Sequence, residues 1–257
     1  MKIKFIGTSS AQTTLARFHS SLLLSTDNYN LLVDAGDGIS RVLLLNKINF
    51  NKIDGIILTH LHPDHFSGLP ALIVQMKIAN RKKPLEIFIH QSLKTIVENT
   101  LINSYILPER MKFQIEYKTF NYDEQLTISN KFSLLAKENS HLSKLEKYTT
   151  YHPSMKFHSS SLLFTAADKK IIYTSDIGSR KDLYLFQGIE PDVFICESNH
   201  LELPTLFDEI KKIEAGKIYL THYSEEDKEK INEILATLPI DRKERVNIAI
   251  DGLSIEI

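Results

Sequence analysis

The chain has 257 residues, 42% apolar and 25% charged, with 31 Lys and Arg against 32 Asp and Glu and a net charge of −1. This is an ordinary globular composition with enough apolar residues for a large core, and its charge balance excludes bulk attraction to nucleic acid or anionic membrane, leaving only local patches. The single Cys196 excludes an intramolecular disulfide, no apolar run approaches a membrane span, and the amino terminus lacks a signal-peptide core, so a soluble cytoplasmic protein is expected.

Taken in order, Lys2 to Ile6 alternates like a first strand. Thr8 to His19 is a polar loop, and strands follow at Ser20 to Leu24 and Leu31 to Val33. The second of these ends in Asp34-Ala35-Gly36-Asp37-Gly38, a tight-turn signal. Helical spacing runs from Ile39 to Lys47, Ile56-Ile57-Leu58 reads as a buried strand, and Gly68 to Ala79 reads as a helix. A strand at Leu85 to Ile89 and a helix at Ser92 to Leu101 come next, then strands at Phe113 to Tyr117, Leu126 to Ile128 and Phe132 to Ala136. The alternation lapses from Lys137 to Ser159 and resumes in a hairpin, Ser161 to Thr165 and Lys170 to Thr174. The last third alternates helices (Arg180 to Phe186, Leu206 to Ile213, Glu225 to Leu238) with strands (Val193 to Cys196, Ile218 to Leu220, Val246 to Ile250, Leu253 to Ile257). Strand-rich halves that each carry helices predict an α/β protein, two sheets packed face to face with helices outside, in one domain over residues 1–257.

The chemistry concentrates in Thr59-His60-Leu61-His62-Pro63-Asp64-His65, between the Ile56 strand and the Gly68 helix. Imidazole nitrogens and carboxylate oxygens at this density are metal donors. Other donors also follow strands: Asp34, Asp176 and His222, while His152 lies in the loop before the Ser161 strand. Sites in layered folds collect at the edge where several strands end, and this set is large enough for two ions.

The histidine cluster, Val33-Asp34-Ala35-Gly36, Tyr173-Thr174-Ser175-Asp176 and Leu220-Thr221-His222 together resemble the successive motifs of the metallo-β-lactamase superfamily, over nearly the whole chain. Phe5-Ile6-Gly7-Thr8-Ser9 and Asp64-His65-Phe66-Ser67-Gly68-Leu69-Pro70 are similar to its ribonuclease Z and phosphodiesterase branch. The resemblance implies a four-layer αββα sandwich of two mixed sheets. It places His60, His62 and His152 on one metal, Asp64, His65 and His222 on a second, with Asp176 bridging. For the third-motif position His152 is preferred to His158, which is almost in the next strand, and to His141, which lies farther upstream. Asp34 would orient a ligand or shape the turn. The resemblance also implies a homodimer.

Two divalent cations on such a core activate water at neutral pH. Zn²⁺ is the first choice, with Mn²⁺ or Fe as alternatives, because no cysteine belongs to the donor set. Asp64 would orient the attacking water, and Glu197 and His200, in Cys196-Glu197-Ser198-Asn199-His200, would supply a supported proton donor. Ribonuclease Z carries a His-Glu-Ala-Thr motif at that place and a further histidine in a Gly-His-Ser-Thr setting that this chain lacks. Thr100 to Tyr117 contains no glycine-rich arm for tRNA, and the only basic run, Arg81-Lys82-Lys83, reads as a solvated helix end. Hydroxyls at Thr8-Ser9-Ser10 and Ser159-Ser160-Ser161 are candidate phosphate donors. The expected activity is hydrolysis of a phosphodiester in a nucleotide, cyclic nucleotide or short RNA. The alternatives are a tRNA-processing endonuclease, a thioesterase or lactonase, and a non-catalytic metal-binding protein.

Overall fold

Central strands such as Leu31-Leu32-Val33 and Ile87-Phe88-Ile89 are apolar on both faces and must be covered on both. The structure, a computed structural model describing residues 1–257 apart from the side chain of Asp241, covers them with four layers. The first sheet is ordered β1 (Lys2–Gly7), β2 (Ser21–Ser25), β3 (Asn30–Val33), β4 (Gly55–Ile57), β5 (Leu85–His90) and β6 (Ile115–Phe120). The second contains β7 (Gln125–Ser129), β8 (Phe132–Glu138), β9 (Ser160–Ala166), β10 (Lys169–Tyr173), β11 (Val193–Glu197), β12 (Lys217–Thr221) and β13 (Val246–Ile248) in that order. The last strand, β14 (Ser254–Glu256), returns to pair antiparallel with β1. Both sheets are mixed. Strands β1 to β3 and β7 to β10 pair antiparallel, whereas β3 to β6 and β10 to β13 pair parallel.

Alternate residues of each strand enter different apolar layers. Leu31, Val33, Ile57 and Phe88 face Phe132, Leu162, Phe164, Ile171 and Ile195 between the sheets. Leu32, Ile56, Leu58, Ile87 and Ile89 point the other way, onto α1 (Ile39–Leu45), the short α2 (Pro63–Phe66), α3 (Leu69–Ile78) and α4 (Lys94–Asn103). On the second sheet Ile172, Phe194, Cys196 and Leu220 pack under α5 (Leu203–Ile210) and α6 (Glu225–Thr237), and α7 (Ile240–Lys243) leads into β13. No helix among the described residues is long and apolar enough to cross a membrane.

Three local expectations change. The segment from Arg180 is a 3-10 turn, Arg180–Tyr184, closed by a reciprocal cap between Ser179 and Asp182. Strand β8 continues to Glu138, two residues beyond the apolar alternation, because Lys137 and Glu138 still pair with Ser161 and Ser160. Arg81 is buried rather than solvated. Its guanidinium donates to the carbonyls of Lys83, Ile53 and Pro84 at 2.7, 2.8 and 2.6 Å, and Lys83 pairs with Asp54. Arg81 is thereby absorbed in holding the turn between α3 and β5, while Lys82 and Lys83 stay exposed.

Phe164 is fully buried between the sheets, 6.1 Å from the Phe132 ring. Phe164→Ala is expected to cost about 3–5 kcal/mol of stability, measured as a lower urea midpoint with an unchanged slope.

Candidate metal centre

Because β3, β4, β10, β11 and β12 are parallel within their sheets, and β8 returns antiparallel to β9, their carboxyl ends lie along one edge of the sandwich. Asp34 leaves β3, Thr59 to His65 leave β4, His141 follows β8, Asp176 follows β10, Glu197 ends β11 and His222 follows β12. The exits turn sharply. Asp34, Ser175 and His222 have φ of 61°, 53° and 54°, a left-handed conformation that is costly for a non-glycine residue and is kept only where surrounding contacts enforce it. Gly36 and Gly68 allow the cluster to sit close to β3. A Cβ on Gly36 would lie 1.8 Å from the Asp64 carbonyl oxygen, and one on Gly68 would lie 2.0 Å from that of Gly36.

Two groups of side chains converge there, with ligand atoms in each group within 4.8 Å of one another: His60, His62, His141 and Asp176, and Asp64, His65, Asp176 and His222. Asp176 belongs to both. Its Oδ1 is 3.2 Å from His65 Nε2 and 3.3 Å from His222 Nε2, and its Oδ2 is 3.6 Å from His141 Nε2. Asp64 Oδ2 lies 3.4 Å from His65 Nε2 and 3.3 Å from His222 Nε2.

A buried network sets which nitrogen of each ring is free. Asp34 accepts from the Thr59 amide at 2.8 Å, from its hydroxyl at 2.9 Å and from His65 Nδ1–H at 2.8 Å. With its proton given to Asp34, the Thr59 oxygen accepts from Ser175 at 2.9 Å and from His60 Nδ1–H at 3.1 Å. Both Nδ1 atoms are thus occupied, and the Nε2 atoms of His60 and His65 are turned into the cluster. These two nitrogens and Asp176 Oδ1 are buried without a hydrogen bond. Unpaired buried polar atoms are rare, and here they are mutually facing lone-pair donors, so the arrangement fits cations. A carboxylate on the far nitrogen of a ligating imidazole is the usual support for such a site.

The electrostatics agree. Burial holds His60 well below the ordinary histidine range, lowers His62, and brings His141 down to about 4, which keeps all three as neutral donors. Burial opposes charge on His65 and His222 as well, but Asp176 outweighs it, raising His65 well above its usual range and His222 to about 9. Asp176 is itself held well below the carboxylate range, against burial, chiefly by His222 and His65. Divalent cations would replace those protons.

Glu197 is buried at the foot of β11. It accepts from the amides of Asn199 and His200 at 2.6 and 3.1 Å and from His200 Nδ1 at 3.2 Å. The His200 ring stacks on His222 with centroids 5.5 Å apart and stays 30% exposed, its Nε2 4.0 Å from Asp176. Burial disfavours charge on His200, but the Glu197 hydrogen bond raises its affinity for a proton.

The structure corrects two expectations. His152 is exposed at the end of a 3-10 segment, Ser143–Thr150, with its amide bonded to the Tyr148 carbonyl, and lies outside both clusters. His141 occupies that place, 3.1 Å from His62 Nδ1, its amide turned back by the Asn139 side chain at 3.2 Å. His141 sits three residues beyond the end of β8, a strand exit like the others, but that end is set by the pairing of Lys137 and Glu138 with β9 and is not marked by apolar alternation. The hydroxyls of Thr8, Ser9, Ser10, Ser159, Ser160 and Ser161 are all buried; Thr8 donates to Asp251, Ser9 to the Gln12 carbonyl and Ser161 to the Thr174 carbonyl, so these three are engaged within the fold, Ser160 Oγ lies 3.3 Å from the Tyr122 hydroxyl, and Ser159 Oγ has no hydrogen-bond partner. Cys196 is likewise buried and outside the clusters.

His141→Ala is expected to lower bound metal, by elemental analysis after reconstitution, from two ions per chain to one, while His152→Ala keeps both; the reverse would refute the reassignment. Among known proteins, ribonuclease Z of Methanococcus maripaludis is 35% identical over 136 residues, 48% of this chain and 44% of that one, so the match spans less than half of that relative. Ribonuclease Z of Agathobacter rectalis is 24% identical over 266 residues, 87% of this chain and 88% of that one. The metallo-β-lactamase fold protein YhfI from Bacillus subtilis superposes with a TM-score of 0.73 at 20% identity, over 99% of this chain and 98% of that one, which establishes the fold. Residues 1–237 match the family model described as anti-Pycsar protein Apyc1, and the chain therefore belongs to the Apyc1 family, with the metallo-β-lactamase fold.

Proposed function

We propose that this protein is a dinuclear metal phosphodiesterase that opens a cyclic mononucleotide to the linear monophosphate. The observation that carries this reading is the paired donor set sharing Asp176, with its buried, unbonded His60 and His65 nitrogens. Two divalent cations, Zn²⁺ first and Mn²⁺ or Fe next, would activate water at neutral pH and neutralise charge developing on the phosphoryl oxygens. His60, His62 and His141 would hold one, Asp64, His65 and His222 the other, with Asp176 between them. Similarity to ribonucleases supports a phosphodiester as the bond cleaved. The near-neutral chain and the burial of Arg81 favour a small substrate over a folded RNA.

In this reading Asp64 accepts a hydrogen bond from the attacking water and aims it at phosphorus. The water oxygen forms the new P–O bond while the ester bond to the ribose oxygen breaks. His200, its Nδ1 tethered to Glu197 and its Nε2 facing the cluster, donates the proton that turns the leaving oxygen into a hydroxyl. The same ring, partly exposed, stands where substrate enters.

Purified protein is expected to hydrolyse bis-p-nitrophenyl phosphate and cyclic mononucleotides, to lose both activities on chelation and to recover them with Zn²⁺ or Mn²⁺. Turnover confined to thioesters or lactones, or to precursor tRNA, would overturn the proposal. For His200→Gln we expect a loss of about 10²-fold or more on cyclic nucleotides and a much smaller one on the p-nitrophenyl ester, whose leaving group departs without a proton. Equal losses on both would remove His200 from the proton-donor role.

A further inference from the structure

The loop between β1 and β2 sends one cation toward the metal edge from behind. Arg17 is buried, and its guanidinium engages three acceptors. Nη1 donates to the Thr8 carbonyl at 2.9 Å, Nη2 to the Tyr223 carbonyl at 2.8 Å and Nε to Glu225 Oε1 at 2.5 Å. The group also sits 3.8 Å from the centre of the Tyr223 ring, which is fully buried and whose hydroxyl donates to the Ala249 carbonyl at 2.9 Å. The loop that presents Arg17 is itself braced. Ser9 donates its amide to the Phe18 carbonyl at 2.8 Å, and Arg17 donates its own to the Thr14 hydroxyl at 3.1 Å. Asp251, in the turn between β13 and β14, accepts from the Phe18 amide and the Thr8 hydroxyl, both at 2.8 Å.

Tyr223 directly follows His222, and Glu225 opens α6 after its capping residue, Ser224. Arg17 therefore holds the chain on both sides of Ser224, immediately beyond the ligand. His222 keeps its left-handed φ of 54° only if the backbone on either side is fixed. Before it, the Ala249 amide fixes the Leu220 carbonyl at 2.8 Å; after it, the Tyr223 carbonyl is fixed by Arg17. A turn released from Arg17 relaxes toward ordinary φ and swings His222 Nε2 away from Asp64 and Asp176, each now 3.3 Å from it. Arginine suits this place because a planar guanidinium spans several acceptors and stacks on a ring, which an ammonium does not. The guanidinium contacts are on Thr8, Tyr223 and Glu225, away from the strand exits that carry His60, His62 and His141. Its influence therefore falls on one donor set more than on the other.

We propose that Arg17 is a positioning residue for His222: by holding the Tyr223 carbonyl and Glu225 it keeps the turn that points this imidazole at Asp64 and Asp176. The inference rests on the paired-cation reading above, not on the substrate. Wild type and variants are stripped with chelator, checked for folding by their urea midpoints, and dialysed against graded free Zn²⁺, with bound metal read by elemental analysis. Wild type takes up two ions. Arg17→Gln is expected to bind one ion as wild type does and to lose about ten- to a hundredfold in affinity for the other. Arg17→Lys, which keeps the charge beside Glu225 but offers one ammonium to three acceptors, loses less. Turnover of bis-p-nitrophenyl phosphate by Arg17→Gln returns as free Zn²⁺ is raised. If Arg17→Gln does not fold, Glu225→Gln, changed at a partner that is 37% exposed, shows the same selective loss on a smaller scale. Equal weakening of both ions, or two wild-type affinities in a folded variant, would reduce Arg17 to a stabilising residue and overturn the proposal. A wild-type protein that binds two ions yet opens no cyclic nucleotide would overturn the proposed activity and leave this assignment standing; one that never takes up a second ion would overturn both.

Discussion

Everything at the active edge depends on how Thr59 ties the two sheets to each other. Its amide and hydroxyl donate to Asp34 in the first sheet, its oxygen accepts from Ser175 of the second, and its carbonyl accepts from Ser160 at the start of β9. His60, His62, Asp64 and His65 come from the first sheet, while His141, Asp176 and His222 come from the second. A sandwich held only by apolar contacts between sheets would let them slide, because such contacts are not directional. Two hydrogen bonds on this threonine, from Ser175 and Ser160, cross between the sheets and the two to Asp34 anchor it in the first; buried where water does not compete, they fix the sheets' relative position at the point where the donors meet.

The same network decides which atom of each imidazole faces inward. Thr59 and Asp34 occupy the Nδ1 atoms of His60 and His65, so their Nε2 atoms are the ones turned toward Asp176 and the cluster. Asp176 then acts as the charge balance, raising His65 and His222 while being lowered by them. The chain therefore builds anionic and neutral donors into a dry site whose repulsion and desolvation cost are relieved when positive charge is supplied. The left-handed turns at Asp34, Ser175 and His222 are the local cost of bending three strands toward one point.

Around this core stand partly exposed residues. His200 is held from below by Glu197 and His158 from the side by Glu138, each a histidine with one nitrogen on a carboxylate and one face toward solvent. A fold serves many reactions when a shared core carries different rim groups.

Much of this was legible in the chain because it is local. Apolar runs of strand length define both sheets, and the dense cluster from His60 to His65 needs no distant partner to be recognised as a donor set. Asp34, Asp176 and His222 were legible for the same reason, each standing directly after an apolar strand. His141 was not, because β8 is prolonged by pairing Lys137 and Glu138 with β9, a long-range hydrogen-bonding effect that alternation of apolar residues does not register. Nor does the sequence reveal that Arg81 is buried among carbonyls or that the Thr8 and Ser161 hydroxyls face inward. The identities of the donors were thus set by sequence. Which histidine completes the set, which nitrogen it offers and which rings gather beside it were decided only when two sheets, far apart along the chain, were registered against each other through Thr59.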